Sequence, residues 1–147
     1  MDRIKDPAAL KKHREQLEQK ADKNKREIII TTNATCCILQ GSQEVTRAFQ
    51  EEIEKQNLTG RVELKLTGCL GFCEIETMVI IPDREVLYQK VKPEDVPDIL
   101  SKTVQEGEVI PRLLYKDPQT KEKRKNREEM AFYQKQHRLI LGTNELI

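Results

Sequence analysis

The four cysteines of this chain fall into two groups whose residue type suits a metal ion or an iron–sulfur cluster. Cys36 and Cys37 are adjacent, and Cys69 and Cys73 form a C-x3-C pattern further along the chain. Cysteine thiolates are the ligands of many zinc sites and of iron–sulfur clusters. Because the chain has no other cysteine, these four thiols are the candidate ligands of one shared site.

The spacing of the thiols helps to choose between these cofactors. Zinc knuckles favour C-x2-C, and thioredoxin-type dithiols use the same spacing, but neither cysteine group has it. Gly68 and Gly71 stand on either side of Cys69, and glycine lets backbone N–H groups approach a sulfur atom closely. Hydrogen bonds to sulfur tune the potential of a cluster. The pattern favours an iron–sulfur cluster, with a zinc site or a dithiol switch as weaker alternatives.

Composition and charge set the class of protein. A chain of 147 residues has room for one domain and a tail, and 35% charged with 4% aromatic residues indicates a small core with charged helices or arms. The net charge of +1 is too small to attract nucleic acid or an anionic membrane surface over the whole molecule. No apolar run is long enough to span a bilayer. The first residues lack the apolar core of a signal peptide. We therefore expect a cytoplasmic protein, in which paired thiols are ligands rather than structural disulfides.

The hydrophobic pattern of residues 26–107 predicts an α/β domain. Three consecutive isoleucines indicate a strand over residues 25–32 that is buried on both faces. An amphipathic helix over 42–57, an alternating strand over 62–67, a hairpin over 78–91 and a helix from 93 to 107 follow. The βαβ start implies a right-handed parallel crossover, and the last two strands are antiparallel. We predict a thioredoxin-like mixed four-stranded sheet with flanking helices.

Both cysteine groups follow a strand of the predicted parallel pair. Residues 33–41, which hold Cys36 and Cys37, are predicted to form a loop after the first strand. Cys69 and Cys73 come directly after the second strand. Because open α/β sheets place ligands outside the carboxyl ends of their strands, we expect the four thiols to converge.

Two further segments flank this domain. Residues 1–25 are predicted to contain an N-terminal helix over 8–24, whose thin apolar stripe indicates a surface position or contact with a partner. Residues 108–147 form a C-terminal arm with a short helix over 130–135 and a short strand over 139–141. Its isolated apolar groups argue against disorder. We expect the arm to pack along a partner or to lead into another domain.

Three stretches of the chain resemble the thioredoxin-like [2Fe-2S] ferredoxin domain of the 24 kDa subunit of NADH dehydrogenase (complex I). They are TGCLGFC over residues 67–73, VKPEDVPDI over 91–99 and RLLYKDP over 112–118. The most similar version of this domain stands at the N-terminus of the flavin- and NADH-binding subunit of NAD-linked, often electron-bifurcating, hydrogenases. The resemblance spans residues 26–141, and residues 112–118 and 132–136 are similar to the arm that links the domain to the FMN-binding module. The chain thus looks like one domain of a longer subunit or a stand-alone relative.

This resemblance implies a [2Fe-2S] cluster that passes single electrons between a flavin- and NADH-binding domain or subunit and other iron–sulfur subunits. FMN and NADH are then expected on the partner, since the chain has neither G-x-G-x-x-G nor a P-loop. No residue pattern indicates a general base, a nucleophile or a substrate pocket, so we expect no catalysis by this chain alone. The basic run over 121–125 lacks interleaved aromatic residues, and we expect no nucleic-acid partner and no membrane insertion.

The first ligand motif departs from the family's pattern. The family holds its cluster with C-x4-C after the first strand and C-x3-C after the next, and Cys69 and Cys73 keep the second motif. If Cys37 takes the second position of C-x4-C, the first position is Thr32, and threonine is a poor ligand for iron. The expected ligands are Cys69 and Cys73 with one or both of Cys36 and Cys37. Because Cys36 and Cys37 are adjacent, binding of both to the same iron would strain the backbone. The alternative function is a docking module that has lost its cluster and kept the fold.

Overall fold

The structure is a computed structural model that describes residues 6–20 and 25–137. The helices are α1 (Pro7–Lys20), α2 (Thr35–Leu39), α3 (Ser42–Lys55), α4 (Val96–Asp98, which continues as a π-helix over Ile99–Glu106) and α5 (Ala131–Gln134). The strands are β1 (Arg26–Thr31), β2 (Val62–Thr67), β3 (Val79–Ile81), β4 (Val86–Tyr88), β5 (Tyr115–Lys116) and β6 (Lys123–Arg124). Residues 21–24 of the predicted first helix and the predicted strand over 139–141 lie outside the described residues.

Strands β1 to β4 form one mixed sheet in the order β2-β1-β3-β4. The first two strands are parallel, with Ile28 opposite Leu64 and Thr31 opposite Thr67. Strand β3 is antiparallel to both β1 and β4. The predicted mixed four-stranded sheet with flanking helices is confirmed, and the crossover through α3 brings the carboxyl ends of β1 and β2 to the same edge.

One face of the sheet packs against α3 and the long helix that begins with α4. The core on this face contains Ile28, Ile30, Val45, Phe49, Ile53, Val79, Ile81, Ile99, Leu100 and Val104. Tyr88 is fully buried in this core, where its hydroxyl lies 2.7 Å from Thr103 Oγ1 and accepts a 2.9 Å hydrogen bond from the Ile110 N–H. The amphipathic helix predicted over residues 42–57 is confirmed, because its apolar stripe is the face that meets the sheet.

The opposite face of the sheet is covered by the C-terminal arm. A second apolar cluster joins residues of the sheet, the arm and the turn after β2: Leu70, Ile75, Met78, Leu87, Tyr115, Met130 and Tyr133, with Phe72, Ile80 and Phe132 packed against them. Backbone hydrogen bonds also hold the arm, since the Leu87 N–H donates to Lys125 O at 2.8 Å and the Gln89 N–H to Leu113 O at 2.9 Å.

The arm also packs against its own domain, a contact that the sequence analysis did not anticipate. Over residues 110–133 the arm buries side chains such as Tyr115 and Met130 on its own domain. Successive strand residues point to opposite faces of a sheet, so Ile80 and Leu87 need a cover on the face that α3 does not reach. A role for the arm as a link to a partner domain stays a prediction.

Two local features differ from the sequence-based expectations. The predicted loop over residues 33–41 contains α2, and a helix of five residues is too short to leave a periodic apolar pattern. The second strand of the hairpin ends at Tyr88 rather than at residue 91, because the chain turns there toward the helix that follows. None of the described helices combines the length and the apolar composition needed to cross a membrane.

Candidate metal centre

The two cysteine groups meet beyond the carboxyl ends of β1 and β2. Cys36 and Cys37 lie on α2, whereas Cys69 and Cys73 belong to the turn that follows β2. The Sγ atoms are 3.9 Å apart in the first pair and 3.7 Å apart in the second. The Sγ atoms of Cys36, Cys69 and Cys73 all lie within 4.8 Å of one another. The predicted convergence of the two groups is confirmed.

A second set of donor atoms lies deeper in the same site. The Sγ atoms of Cys37 and Cys69 and a carboxylate oxygen of Glu76 are also within 4.8 Å of one another. Cys37 is fully buried and Glu76 is only 2% exposed, whereas Cys73 is exposed. The site therefore has a buried side and a side open to solvent, and Cys69 belongs to both.

The environment divides the thiols by their acidity. The hydrogen bond with Cys73 lowers the pKa of Cys36, against the opposing effect of burial. Burial raises the pKa of Cys37, and the charge of Glu76 adds to the increase. Burial also raises the pKa of Cys69 to about 12. Because metal binding requires thiolates, a cation bound by Cys37 or Cys69 would displace the proton of that thiol.

The turn between Cys69 and Cys73 offers a backbone donor to sulfur, as the glycines predicted. The Gly71 N–H points to Cys69 Sγ at an N···S distance of 3.3 Å, and Gly71 has a φ of 90° that favours glycine. A Cβ added at Gly68, in contrast, meets no heavy atom within 4 Å, so space alone does not require glycine there. Gly71 is thus the glycine whose conformation the turn needs.

Two contacts from outside the turn hold it in place. Gln40, at the end of α2, donates from Nε2 to the Cys73 carbonyl at 2.9 Å. On the other side, the ring of Phe72 stacks on that of Phe132 in the arm, with centroids 4.1 Å apart and an interplanar angle of 22°. The position of Cys73 therefore depends on both α2 and the C-terminal arm.

Thr32, which takes the first position of the family's C-x4-C motif if Cys37 takes the second, has a structural partner. Its hydroxyl lies 3.0 Å from Ser42 Oγ at the start of α3, and the residue is 3% exposed. Its N–H donates to Thr67 O at 2.8 Å, which extends the pairing of β1 with β2. These contacts give Thr32 a structural role, and its absence from the ligand set stays a prediction.

Sequence reasoning did not identify Glu76 as part of the site. One of its carboxylate oxygens, Oε2, accepts hydrogen bonds from the Thr31 hydroxyl and from the Met78 N–H. The other, Oε1, is buried without a hydrogen-bond partner among the described residues. The signal available in the sequence was an acidic residue three positions after Cys73, between the apolar Ile75 and Met78.

Three apolar side chains close in sequence to the cysteines are exposed. Leu39 and Ile38, which follow Cys37 on α2, are 81% and 41% exposed. Leu66 is 44% exposed at the end of β2, which is an edge strand with a neighbour on one side only. The sheet is thioredoxin-like, and the four thiols lie together beyond the carboxyl ends of β1 and β2. This combination is typical of proteins that use thiolates for redox chemistry or for metal binding.

The chain belongs to the thioredoxin-like [2Fe-2S] ferredoxin family, whose sequence model matches residues 18–104. It is 32% identical over 77 residues to a 2Fe-2S ferredoxin of Clostridium pasteurianum, and the aligned residues make up 52% of this chain and 76% of the relative. It is 31% identical over 106 residues to HndB, a subunit of the NADP-reducing hydrogenase of Solidesulfovibrio fructosivorans, covering 70% of this chain and 83% of HndB. The solved thioredoxin-like [2Fe-2S] ferredoxin of Aquifex aeolicus superimposes with a TM-score of 0.55 at 30% identity, over 61% of this chain and 89% of that one.

The cofactor of this family is a [2Fe-2S] cluster, and membership gives the chain an iron–sulfur electron-transfer role. The donor set of the site fits that cofactor, since a [2Fe-2S] cluster takes its terminal ligands from cysteine thiolates. The Sγ atoms of Cys36, Cys69 and Cys73 lie within 4.8 Å of one another, and Cys37 Sγ lies 3.9 Å from Cys36 Sγ. The residues that sequence reasoning selected as ligands are therefore the ones that the fold brings together.

Proposed function

We propose that the cluster is held by Cys69, Cys73 and one or both of Cys36 and Cys37. We further propose that the chain relays single electrons between a flavin- and NADH-oxidising unit and other iron–sulfur centres of an NADH-dependent oxidoreductase or hydrogenase complex. The observation that carries the ligand assignment is the set of three Sγ atoms within 4.8 Å of one another. When bound, the cluster supplies one-electron redox chemistry.

Different residues of the site supply the shielding, the hydrogen bond to sulfur and the exposed surface that an electron carrier needs. The thiols on the buried side have little contact with water, and the Gly71 N–H donates to Cys69 Sγ, which stabilises negative charge on that sulfur. Cys73 faces solvent at the other side. We propose that a redox partner contacts the exposed Leu39 and Leu66, which lie close in sequence to Cys37 and Cys69.

The relationship to HndB supports the kind of complex that we propose. HndB is a subunit of an NADP-reducing hydrogenase and aligns with 70% of this chain. We propose that FMN and NADH bind to a partner domain or subunit, and that this chain alone does not oxidise NADH. Four free cysteines fit a reducing compartment, so we place the protein in the cytoplasm.

A docking module without a cluster is the second candidate function. It is favoured by Thr32, which occupies a cysteine position of the family motif if Cys37 is the second cysteine, and whose hydroxyl lies 3.0 Å from Ser42 Oγ. The fold around the site does not depend on iron in this reading, because the second apolar cluster and Gln40 already hold the turn between Cys69 and Cys73. The two candidates differ in whether the purified chain binds iron and sulfide.

Iron and acid-labile sulfide analysis of the anaerobically reconstituted chain tests the cluster. We expect about two irons and two sulfides per chain and, after reduction, the S = ½ EPR signal of a [2Fe-2S] cluster. Cys69→Ser and Cys73→Ser should each lower the iron content, whereas Thr32→Ser, which keeps the hydroxyl, serves as the matched control. A folded wild-type chain that binds neither iron nor sulfide would establish the docking module instead.

A second experiment tests the relay. The reconstituted chain is mixed with the FMN-containing, NADH-oxidising subunit of its complex, and the EPR signal is recorded after NADH is added. We expect NADH to reduce the cluster only when the flavoprotein is present. If dithionite reduces the cluster but NADH with the flavoprotein does not, the chain is an electron carrier of a different complex.

A further inference from the structure

We infer that the carboxylate of Glu76 is an oxygen ligand of the cluster, so that the ligand set is Cys36, Cys69, Cys73 and Glu76. This inference rests on the proposed cluster and deepens it, because it names the donor that replaces the missing cysteine of the first motif. The juxtaposition that carries it is a carboxylate oxygen within 4.8 Å of the Sγ atoms of both Cys37 and Cys69.

The described residues satisfy only one of the two carboxylate oxygens of the buried Glu76. The residue is 2% exposed, and its Oε1 has no hydrogen-bond partner among the described residues. No described lysine, arginine or histidine forms an ion pair with it. Buried carboxylates are costly unless they are paired with a charge or coordinate a metal, and the thiols of Cys37 and Cys69 lie within 4.8 Å of this carboxylate. An iron ion bound at this position would supply the missing positive charge.

The hydrogen bonds of Glu76 leave one oxygen available for iron. The Thr31 hydroxyl and the Met78 N–H both donate to Oε2, and the Met78 N–H also lies 2.9 Å from Thr31 Oγ1. Thr31 is the last residue of β1, so the sheet fixes the direction of the carboxylate. Ligating carboxylates are themselves usually held by hydrogen bonds of this kind. Thr31 therefore acts as a positioning residue for Glu76.

Cys36 and Cys37, the adjacent cysteines of α2, are alternative candidates for the ligand that this helix provides. Neighbouring residues of a helix point in different directions, and Cys36 shares its centre with Cys69 and Cys73, while Cys37 is fully buried. If both were ligands, one helical turn would have to direct two adjacent side chains to the cluster. With Glu76 in the fourth position, Cys36 alone serves from α2, and Cys37 packs as a small buried thiol beside the site.

Mössbauer spectroscopy of the oxidised, ⁵⁷Fe-reconstituted wild-type chain tests the inference directly. An iron with one oxygen and one thiolate terminal ligand differs from an iron with two thiolates, so we expect two separate quadrupole doublets of equal area. In Glu76→Cys, which restores four thiolates, the two doublets should converge. A wild-type spectrum with a single all-thiolate doublet would overturn the inference.

Two matched variants decide between the competing donors. Glu76→Gln keeps an oxygen that accepts from Thr31 and Met78 but removes the anionic ligand, and Cys37→Ser removes the competing thiol. We expect Glu76→Gln to change the EPR g-values and to lose iron to a chelator at least tenfold faster, and Cys37→Ser to have the smaller effect on both. If Cys37→Ser changes the spectrum and the release rate as much as Glu76→Gln or more, or if neither variant changes them, Glu76 is not the fourth ligand.

The failure of this inference is distinguishable from the failure of the proposed function. Absence of iron and sulfide in the wild-type chain refutes the cluster itself. Normal iron and sulfide with a symmetric Mössbauer spectrum refutes only the role of Glu76. Thermal unfolding of the metal-free Glu76→Gln chain shows whether the variant folds. Thr31→Val provides a second test, because it removes the hydroxyl that positions Glu76 and replaces no ligand.

Discussion

The stacking of Phe72 on Phe132 should couple the stability of the cysteine turn to the C-terminal arm. Phe72 lies between Cys69 and Cys73, and its ring centroid is 4.1 Å from that of Phe132 and 5.5 Å from that of Tyr115. An offset-stacked or edge-to-face pair contributes about 0.5–1.5 kcal/mol beyond the area that it buries. We therefore expect a coupling free energy of about 1 kcal/mol between Phe72 and Phe132.

A double-mutant cycle measures this coupling. Urea unfolding of the metal-free wild type, Phe72→Leu, Phe132→Leu and the double variant gives four free energies of unfolding, and the coupling is their non-additive part. The matched control is a cycle of Phe72→Leu with Phe49→Leu. Phe49 lies in the core on the opposite face of the sheet, so the two substitutions should add within about 0.5 kcal/mol.

The same pair should affect the cluster. Phe132 is not in the cysteine turn, so it acts on Cys69 and Cys73 only through contacts such as that with Phe72. We expect Phe132→Leu to speed the release of iron to a chelator in the reconstituted chain. A coupling below about 0.3 kcal/mol, together with an unchanged release rate, would refute the idea that the arm supports the turn.

Three further substitutions test other parts of the structure. Tyr88→Phe leaves the buried Ile110 N–H without its acceptor, so the free energy of unfolding in urea should fall by about 1–3 kcal/mol, and an unchanged value would count against the assigned hydrogen bond. The backbone N–H groups of Thr120 and of the residue before it lower the pKa of Asp117, so this carboxylate stabilises the folded chain above its unfolded pKa of about 4 and loses the effect as the pH falls through the folded pKa. The difference in stability between wild type and Asp117→Asn should accordingly be largest at neutral pH and shrink below about pH 4, whereas a difference that is constant with pH would contradict this account. Leu39→Glu, at a residue that is 81% exposed, should change stability by less than about 0.5 kcal/mol but slow electron exchange with the flavoprotein partner, and equal rates would exclude α2 from the contact surface.

The ends of the strands were the part of the site that the sequence predicted well. The run of isoleucines and the alternation over residues 62–67 indicated two strands, and a helix between them makes these strands parallel. Parallel strands bring their carboxyl ends to one edge, so the approach of Cys36 to Cys69 and Cys73 followed from local pattern and connectivity alone.

Sequence reasoning was less successful with the arm and with α2. The apolar residues of the arm, such as Tyr115 and Met130, showed that it buries side chains, but a pattern along one chain does not say which surface they meet. The structure places them on the sheet face that carries Ile80 and Leu87. The helix α2 was missed because five residues complete little more than one turn.

The sequence by itself determined the fold class, the parallel pair of strands and the four thiols at their ends, because these depend on residue type, spacing and short-range connectivity. Only the tertiary structure decided which thiols share a centre, how deeply each is buried and that Glu76 lies among them. Burial and the approach of Glu76 to Cys37 depend on the distance between segments that are far apart in sequence. The sequence shows a glutamate at position 76 but not whether it is solvated or buried. The tertiary structure buries it, with Thr31 of β1 and the Met78 N–H hydrogen-bonded to its carboxylate.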